Sequence, residues 1–531
     1  MSSKKGEWIL AFFLITFSIY CAAIIGESWD EGFHMLQGKT TLEYLFSLGQ
    51  KNLNQDLYYR EIYSPSYWTI QFLIVQIFTS KYQIEATHLI NLAMSIGTIL
   101  GLGKLVKELF NKQVGKITIL ILFFYPIFFG HAAFNGKDTI LAFSHVWITY
   151  LLLRYIKYQH NYFKINNYVV LIGLLAAIAT GIQIIFLGSL LPIILIILFD
   201  VFFYKKLTSD KFSIKRLLKD ILKCFFIFYF FIILFWIDAH PNILVLPFKF
   251  LFSTFNEGYW KGWPYNLING VYYFADNTPK SYILKNLSFK SPEYFLFLYL
   301  IFFISLIKFK LFFKKTIKNF NYKLFIIIMY LIFPNLILFV LPYNIYDGLR
   351  LFIWTLPYYC IIPGLTIYFL SKNLNNLFSK IVIIFLSMMF IFFLYEFLKI
   401  TPYQYTYLNF LSGKKEIRYK KFENDYWAAS MEELIENSNL DNTQTILITS
   451  CGVPKGRVKK YMKKKKYSKL KFVNPDKADY IIMTNRTTSK VTSPKNISDI
   501  TNCFDNYPGI NIVTVKRNDQ ALSVIRKIKN Y

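Results

Sequence analysis

Three short polar segments interrupt an otherwise apolar sequence, and each carries side chains that can do chemistry. The first is Glu27-Ser28-Trp29-Asp30-Glu31-Gly32-Phe33-His34. If this segment is helical, Asp30 and His34 lie at i and i+4 on one face, and Glu31 points elsewhere. A carboxylate here can take a proton from a hydroxyl group, and with His34 it can hold a divalent metal ion. An exposed acidic loop end with a solvated histidine is the alternative interpretation.

The second segment runs from Phe129 to Asp138 and contains His131, Asn135 and Lys137. Lys137 offers a point charge suited to a phosphate, and His131 offers a titratable imidazole. Asp138 directly precedes an apolar helical run, where its carboxylate can cap free N–H groups. A capping role and a functional role for Asp138 therefore stay equally open.

The third segment contains Asp347 and Arg350 at the end of another apolar run. Arg350 can snorkel towards the membrane surface or pair with Asp347. Its planar guanidinium can equally bind a phosphate through two parallel hydrogen bonds.

The elements that hold these segments are predicted to be membrane helices. Of the 531 residues, 55% are hydrophobic and 20% aromatic, and the mean hydropathy is +0.36, which is too apolar for an ordinary soluble protein. The stretch from Tyr67 to Thr79 is short enough to be either a span or an interfacial helix. We predict a mainly α-helical, polytopic transmembrane bundle of about eleven spans, each able to cross about 30 Å of hydrocarbon. The spans lie roughly at 7–26, 86–103, 117–130, 138–154, 168–184, 186–203, 221–237, 292–307, 324–341, 351–370 and 380–398.

Basic residues predict the orientation of the bundle. The formal net charge is +29, and the lysines and arginines concentrate in the short loops that follow residues 103, 154, 203 and 307. The positive-inside rule places these loops in the cytoplasm. The loops 27–66, 131–137, 238–291 and 342–350 then lie on the other side, together with the tail from Lys399. Because the charge has this topological explanation, we predict no nucleic-acid partner.

The tail changes character, and we predict a transmembrane domain over 1–398 and a small extracytoplasmic α/β domain over 399–531. Alternating apolar patterns predict strands and helices there. The strands are Thr445–Ser450, Asp479–Thr484 and Asn511–Val515, and the helices are Met431–Asn437 and Val458–Lys464. Cys451 and Cys503 can pair, since a segment outside the cytoplasm permits disulfides.

Taken together, the three segments resemble the C-type superfamily of multi-spanning glycosyltransferases, which includes protein O-mannosyltransferases and the bacterial aminoarabinose transferase. Asp30-Glu31 resembles the acidic motif of that superfamily. The chain is also similar to one bacterial branch of it at Gly130-His131, Asn135-Gly136-Lys137-Asp138, Tyr346-Asp347-Gly348-Leu349-Arg350, Pro402-Tyr403-Gln404-Tyr405 and Asp425-Tyr426-Trp427. It departs from that branch at Leu351 and Thr401, where histidine is expected, so no role of those histidines carries over.

The resemblance implies transfer of a monosaccharide, with inversion, from a polyprenyl-phosphate carrier to an envelope lipid, glycan or protein. The site would face the outside of a bacterial plasma membrane. Asp30 and Glu31 are the expected catalytic acids, with Asp30 as general base, and Asp30 and His34 are the candidate ligands of a divalent metal. Lys137 and Arg350 would stabilise the leaving phosphate. The expected substrate-binding residues are His34, His131, Asn135, Lys137, Asp138, Asp347 and Arg350.

Two alternatives stay open at this stage. The loop 238–291, with Trp260, Trp263, Tyr272 and Tyr273, is either a cover over the site or an interfacial aromatic belt. The whole chain could instead be a lipid transporter or flippase. Such proteins usually carry ionisable residues in mid-span and repeated halves, whereas this chain has its charges at the ends of spans and no repeat.

Overall fold

A computed structural model describes residues 2–50, 63–253, 262–340, 344–440, 443–465, 467 and 469–528. Most of the chain up to Lys399 is helical. The helices are α1 Ser2–Ile24, α2 Glu31–Phe46, α3 Ser66–Val75, α4 Gln83–Leu109, α5 Lys112–Phe123, α6 Pro126–His131, α7 Asp138–Tyr158, α8 Tyr162–Ile182, α9 Phe186–Ser189, α10 Leu191–Phe199, α11 Ile214–Phe235, α12 Leu246–Ser253, α13 Tyr282–Lys290, α14 Glu293–Lys308, α15 Lys310–Thr316, α16 Phe320–Val340, α17 Leu356–Tyr359, α18 Ile361–Lys372 and α19 Leu377–Lys399. Three further helices follow, α20 Met431–Glu436, α21 Lys455–Lys464 and α22 Cys503–Asn506.

Seven helical segments of the described chain are long and apolar enough to cross a membrane. They are Lys5–Ile24, Ser80–Leu109, Asp138–Tyr158, Tyr162–Ile182, Phe320–Val340, Arg350–Lys372 and Leu377–Lys399. The pair α13 and α14, bent by 116°, adds an eighth if it counts as one span. The predicted polytopic helical bundle is therefore confirmed.

The other predicted spans are also helical, but they are divided or charged. The stretch 117–130 is split between α5 and α6, because Pro126 lacks an N–H and starts a new helix. The stretch 186–203 breaks into the short helices α9 and α10 and a π-helical turn. Helix α11 is amphipathic, with Lys219, Asp220 and Lys223 among its apolar residues. Helix α3, which has 10 residues, rises only about 15 Å and is too short to span.

Small residues let the central helices pack closely. A Cβ atom on Gly115 of α5 would lie 2.7 Å from the carbonyl oxygen of Gly103 on α4. One on Gly101 of α4 would lie 2.8 Å from the indole nitrogen of Trp147 on α7. Close backbone approach of this kind is typical of helices that associate inside a bilayer. Helix α4 is thus fixed against both of its neighbours, and its N-terminal end reaches the candidate site.

The C-terminal sheet region, defined as residues 446–528, contains a five-stranded mixed sheet. Its strands are β3 Ile446–Cys451, β4 Leu470–Phe472, β5 Tyr480–Thr484, β8 Gly509–Arg517 and β9 Gln520–Ile528, in the order β4-β3-β5-β9-β8. Strand β3 is parallel to β4 and β5, and β9 is antiparallel to β5 and β8. Two hairpins accompany the sheet, β1 Tyr265–Ile268 with β2 Val271–Phe274, and β6 Thr487–Ser489 with β7 Ile500–Asn502. Cys451 and Cys503 form a disulfide.

The segments predicted to lie on one side of the membrane meet at one end of the molecule. The backbone N–H of Trp29 donates to the carbonyl of Trp427 (2.9 Å). Arg457 and Lys460 of α21 bind the carboxylate of Glu27 at 3.3 and 2.9 Å. The C-terminal sheet region therefore packs directly on the first polar segment.

Candidate active site

Arg350 joins the three polar segments into one hydrogen-bonded cluster. Its side chain is only 3% exposed. Its Nε donates to Asp138 Oδ2 (3.0 Å) and its Nη2 donates to Asp30 Oδ2 (3.2 Å). A buried cation is tolerated when carboxylates pair with it and hydrogen bonds satisfy it. Arg350 is thus a paired, buried residue, and it neither snorkels to the surface nor uses Asp347 as its partner.

Helix starts and one tight turn position these three side chains. Asp30 is the residue before α2 and Asp138 is the first residue of α7, where the partial positive charge of a helix N-terminus favours carboxylates. Arg350 follows Asp347 and Gly348, whose φ angles of 59° and 58° turn the chain into the 3₁₀ helix Arg350–Thr355.

The sequence leaves open whether Asp138 caps helix α7. In the structure Asn135 has this role instead. Its Oδ1 accepts from the backbone N–H groups of Lys137 (3.3 Å) and Asp138 (3.0 Å). Its Nδ2 donates to Asp138 Oδ2 (3.0 Å). Because Asn135 caps the helix, the carboxylate of Asp138 stays available for Arg350.

Aromatic rings from the tail cover Arg350. The guanidinium carbon lies 4.2 Å from the ring centroid of Trp427 and 6.0 Å from that of Tyr426. Asp425 fixes this segment by accepting from the N–H and hydroxyl of Ser430 (2.9 and 2.6 Å) and from the hydroxyl of Tyr405 (2.5 Å). The segments with family resemblance thus pack around one arginine.

Gly130 is required for that packing. A Cβ atom on this residue would lie 2.0 Å from the backbone nitrogen of Tyr405. Distances this short do not occur between real atoms, so any larger residue would separate α6 from the segment that contains Tyr405. Tyr405 in turn orients Asp425, and through it the ring of Trp427 over Arg350.

Asp30 is ionised and reachable. Burial raises its pKa, but the charges of Arg350, Lys137 and Arg486 outweigh that effect and leave the pKa below its ordinary value. Its side chain is 32% exposed, so a substrate can touch it. An ionised carboxylate that is partly open to its surroundings can accept a proton from a hydroxyl group.

Glu31 and His34 lie in the first turns of α2, directly after Asp30, and have different partners. Glu31 is buried, accepts from the backbone N–H of Ser28 (2.5 Å), and lies 2.8 Å from His88 Nε2. The His34 ring stacks on Trp68 with centroids 4.1 Å apart. Burial lowers the pKa of His34 to about 4, so this imidazole is neutral. Glu31 belongs to a buried network with His88, and its catalytic role stays a prediction.

Lys137 has no carboxylate at salt-bridge distance among the described residues. Its Nζ donates to the hydroxyl of Tyr63 (3.3 Å). His131 lies deeper, where burial lowers its pKa well below the ordinary value, and its Nδ1 is 3.3 Å from the Nδ2 of Asn135. An amide nitrogen only donates, so this ring nitrogen is the acceptor. His131 therefore supports Asn135, and Lys137 is free to bind a ligand.

Asp347 lies near the cluster, but its carboxylate is not within salt-bridge distance of Arg350. It lines a cavity with Lys290, Tyr282, Asn286 and Glu423. Burial raises the pKa of Asp347 to about 7. Its backbone carbonyl accepts from the N–H of Arg350 (3.2 Å), and this hydrogen bond connects it to the cluster. Its predicted role in binding substrate stays a prediction.

The described residues do not assemble the metal ligands that the sequence suggested. Among them, no group of three or more His, Cys, Asp or Glu side chains is placed to hold a metal ion. Asp30 Oδ2 already accepts from Arg350, and the ring of His34 lies flat against Trp68. Asp30 and His34 alone supply two ligands, fewer than protein metal sites use.

Sequence reasoning missed Arg486, which the structure places beside the cluster. Its guanidinium carbon lies 4.2 Å from the ring centroid of Trp29, and 4.0 Å from those of Trp263 and Tyr426. No motif marks the segment that carries it, and a lone arginine after a strand is a weak signal. Trp263 thus contacts Arg486 beside the cluster, while Trp260 lies outside the described residues. Whether their loop covers the site or forms an aromatic belt stays a prediction.

No protein-family model and no curated protein matches the sequence significantly. Solved structures do match. ArnT from Cupriavidus metallidurans in the apo state superposes with a TM-score of 0.52 over 98% of both chains, at 9% identity. ArnT bound to undecaprenyl phosphate gives a TM-score of 0.52, 10% identity and the same 98% coverage of each chain. This chain has the ArnT fold.

The ArnT fold covers the helical bundle, the polar segments and the C-terminal sheet region alike, because the match extends over nearly the whole chain. The fold implied by the family resemblance is therefore confirmed. The archaeal oligosaccharyltransferase AglB from Archaeoglobus fulgidus, in complex with an inhibitory peptide and a dolichol-phosphate, aligns over 90% of this chain and 70% of its own, at 10% identity and a TM-score of 0.45.

Proposed function

We propose that this protein is a membrane glycosyltransferase. It transfers a monosaccharide from a polyprenyl-phosphate carrier to an envelope lipid, glycan or protein. The observation that carries the proposal is the cluster of Asp30, Arg350 and Asp138, which unites three distant polar segments at one end of an ArnT fold. The solved complex of ArnT with undecaprenyl phosphate supports a lipid phosphate as part of the donor.

Asp30 is the general base of the proposed reaction. Its Oδ2 is held by Arg350, so Oδ1 takes the proton from an acceptor hydroxyl. The acceptor oxygen forms a bond to the anomeric carbon as the bond from that carbon to the phosphate oxygen breaks. Attack from the face opposite the phosphate inverts the anomeric configuration. Polyprenyl phosphate leaves with the electron pair of the broken bond.

Lys137 is the better placed of the two proposed cations to stabilise the leaving phosphate. Negative charge grows on that phosphate during the reaction, and a preorganised cation lowers the barrier. Two carboxylates already offset the charge of Arg350, whereas Lys137 donates to the neutral hydroxyl of Tyr63 and has no carboxylate at salt-bridge distance among the described residues. We therefore assign Arg350 mainly to orienting Asp30 and Asp138.

The proposed site opens on the outer side of a bacterial plasma membrane. The polar segments and the C-terminal sheet region meet at one end, so they share one side of the bilayer. The positive-inside rule assigns the lysine-rich loops to the cytoplasmic side. A lipid-linked donor reaches such a site by diffusing within the bilayer.

Mass spectrometry of the cell envelope tests the function. Glycolipids and glycoproteins are compared between the parent strain, a strain without the gene, and deletion strains that carry the wild-type gene or Asp30→Asn. We expect a glycosylated species that is lost on deletion and restored only by the wild-type gene. An unchanged envelope, with slower translocation of a labelled lipid after deletion, would favour the flippase instead.

A further inference from the structure

Arg486 is buried among aromatic rings at the junction between the C-terminal sheet region and the candidate site. It is 3% exposed and lies just before strand β6. Trp29, Trp263 and Tyr426, from three separate parts of the chain, approach its guanidinium at 4.0 to 4.2 Å. Stacking on aromatic faces is a preferred environment of the guanidinium group. The rings fix its position and keep water away from it.

Most of its hydrogen-bonding capacity is unused. Nη2 donates to the hydroxyl of Tyr426 (2.6 Å). Nε and Nη1 are closed to solvent and have no acceptor among the described residues. Together these two nitrogens carry three N–H bonds. Charged donors are seldom left buried without an acceptor, because their desolvation is then uncompensated.

The other buried arginines of the described chain are all supplied with acceptors. Arg350 binds two carboxylates, and Arg457 binds the carboxylate of Glu27 (3.3 Å). Arg418 donates to three backbone carbonyls at 2.6 to 3.2 Å. The Nε of the partly buried Arg154 also lacks an acceptor among the described residues, but of the fully buried arginines there Arg486 is the one with unused donors.

Among the described residues, no carboxylate accepts a hydrogen bond from Arg486. The positive charge of Arg486 acts to lower the pKa of three carboxyl groups, those of Asp30, Asp347 and Glu423. None of them lies within hydrogen-bonding distance of the guanidinium. Glu423 instead accepts from the backbone N–H and the hydroxyl of Thr487, both at 2.8 Å. The acceptor that fits the remaining donors is therefore an oxyanion brought by a ligand.

We propose that Arg486 binds a phosphate group of a substrate, so that the C-terminal sheet region contributes an anion-binding residue to the site. This inference rests on the proposed function and deepens it. The phosphate is that of the lipid donor or one carried by the acceptor, since Arg486 shares the ring of Tyr426 with Arg350. Exclusion of water strengthens such an ionic contact. An anion reaches Nε and Nη1 after one of the aromatic side chains turns aside, so binding should change tryptophan fluorescence.

Equilibrium binding to the full-length protein in phosphatidylcholine nanodiscs tests the proposal. The probes are undecaprenyl phosphate, and inorganic phosphate added to protein already saturated with undecaprenyl phosphate. Arg486→Gln should lower the affinity for one of the two probes about tenfold to a hundredfold, which is the contribution of a charge-assisted hydrogen bond. Arg486→Lys should lie between, because it keeps the charge but loses the planar fork. Arg517→Gln is the control, since Arg517 lies in the same region but is paired with Glu433.

Each outcome decides a different point. A loss confined to undecaprenyl phosphate supports the proposal with the donor as source, and a loss confined to inorganic phosphate supports it with a phosphorylated acceptor. Unchanged binding of both probes in folded Arg486→Gln protein overturns the inference and leaves the proposed function standing. If Arg486→Gln does not fold, Arg486→Lys decides by the same criteria. If wild-type protein does not bind undecaprenyl phosphate, inorganic phosphate is added to the protein alone. Binding of inorganic phosphate that is lost in Arg486→Gln would then mean that the proposed function fails and the anion site survives.

Discussion

Arg350 and Lys137 carry the same charge in different surroundings, so their replacement should have different effects. Loss of Arg350 should lower stability, and loss of Lys137 should lower the efficiency with the lipid donor. Arg350→Ala leaves the buried Asp138 and the partly exposed Asp30 without their cation, and breaking a buried pair such as Arg350–Asp138 costs about 3–5 kcal/mol. The melting temperature should fall clearly. Lys137→Ala removes a cation that has no carboxylate partner among the described residues, so stability should change little. Its efficiency with the lipid donor should drop about tenfold to a hundredfold.

Thermal unfolding and steady-state kinetics on the same preparations check this contrast. Lys137→Arg is the control, since it keeps the charge that the leaving phosphate needs. Normal donor kinetics in Lys137→Ala would show that Lys137 only contacts Tyr63. A fully stable Arg350→Ala protein would show that the cluster is not the buried ion pair described above.

Asp347 should make stability depend on pH near neutrality. Burial raises its pKa to about 7 from the ordinary value of 3.8, so between these values the folded state binds more protons than the unfolded state. Stability from this group is therefore highest at low pH and falls as the pH rises towards 7. Asp347→Asn should have a flatter profile of melting temperature between pH 5 and pH 8. Parallel profiles for the two proteins would contradict the raised pKa.

The sequence predicts the residues of the cluster but not their partners. Asp30, Asp138 and Arg350 stand out because each is a rare charge beside an apolar run. Their mutual contacts span more than 200 positions of sequence, and no local pattern encodes them. His88 and Arg486 were missed for the same reason, since only the folded chain brings them to Glu31 and Trp29.

Helix α6 can sit against the tail only because Gly130 has no side chain. Gly130→Ala puts a Cβ atom 2.0 Å from the backbone nitrogen of Tyr405, so the two segments must move apart. Overpacking of this kind costs about 1–3 kcal/mol. We expect a lower melting temperature and reduced transfer, because Tyr405 orients Asp425 below the rings that cover Arg350.

Gly188→Ala is the matched control, because nothing lies within 4 Å of the Cβ atom it would add. It should leave stability unchanged or slightly raised, since alanine favours a helix over glycine. Equal stability of the Gly130→Ala and Gly188→Ala proteins would mean that α6 does not pack tightly on Tyr405.

Elements were predicted well where the pattern was long or strongly alternating. Strands β3, β5 and β8 and helices α20 and α21 lie where the tail pattern predicts them. Strand β9 was missed although it pairs with both β5 and β8. Its Arg526 and Lys527 obscure the apolar alternation, and its place in the sheet depends on tertiary pairing, to which a single sequence gives no access.

The molecule as a whole should have its C-terminal sheet region and its lysine-rich loops on opposite sides of the membrane. Single cysteines at the exposed positions Lys495 and Lys211 test this with a membrane-impermeant thiol reagent. In right-side-out vesicles or intact spheroplasts, Lys495→Cys should react at once and Lys211→Cys only after permeabilisation. The native Cys21 and Cys360 are buried, and protein without an added cysteine gives the background of Cys224. The reverse labelling pattern would place the whole candidate site in the cytoplasm.

Asp30→Asn gives the most direct test of the proposed mechanism. The substitution keeps size and hydrogen-bonding reach but removes the proton acceptor, and a positioned base contributes about a hundredfold to ten-thousandfold in rate. Purified variants are assayed for sugar transfer from a polyprenyl-phosphate donor, with undecaprenyl phosphate binding measured in parallel. Glu31→Gln is the companion variant, since Glu31 binds the backbone of Ser28 and lies beside His88. It should affect melting temperature more than turnover.

The proposed mechanism predicts an Asp30→Asn protein that is inserted, folded and able to bind undecaprenyl phosphate, with transfer reduced at least about a hundredfold. A folded Asp30→Asn protein that transfers sugar at close to the wild-type rate would contradict it.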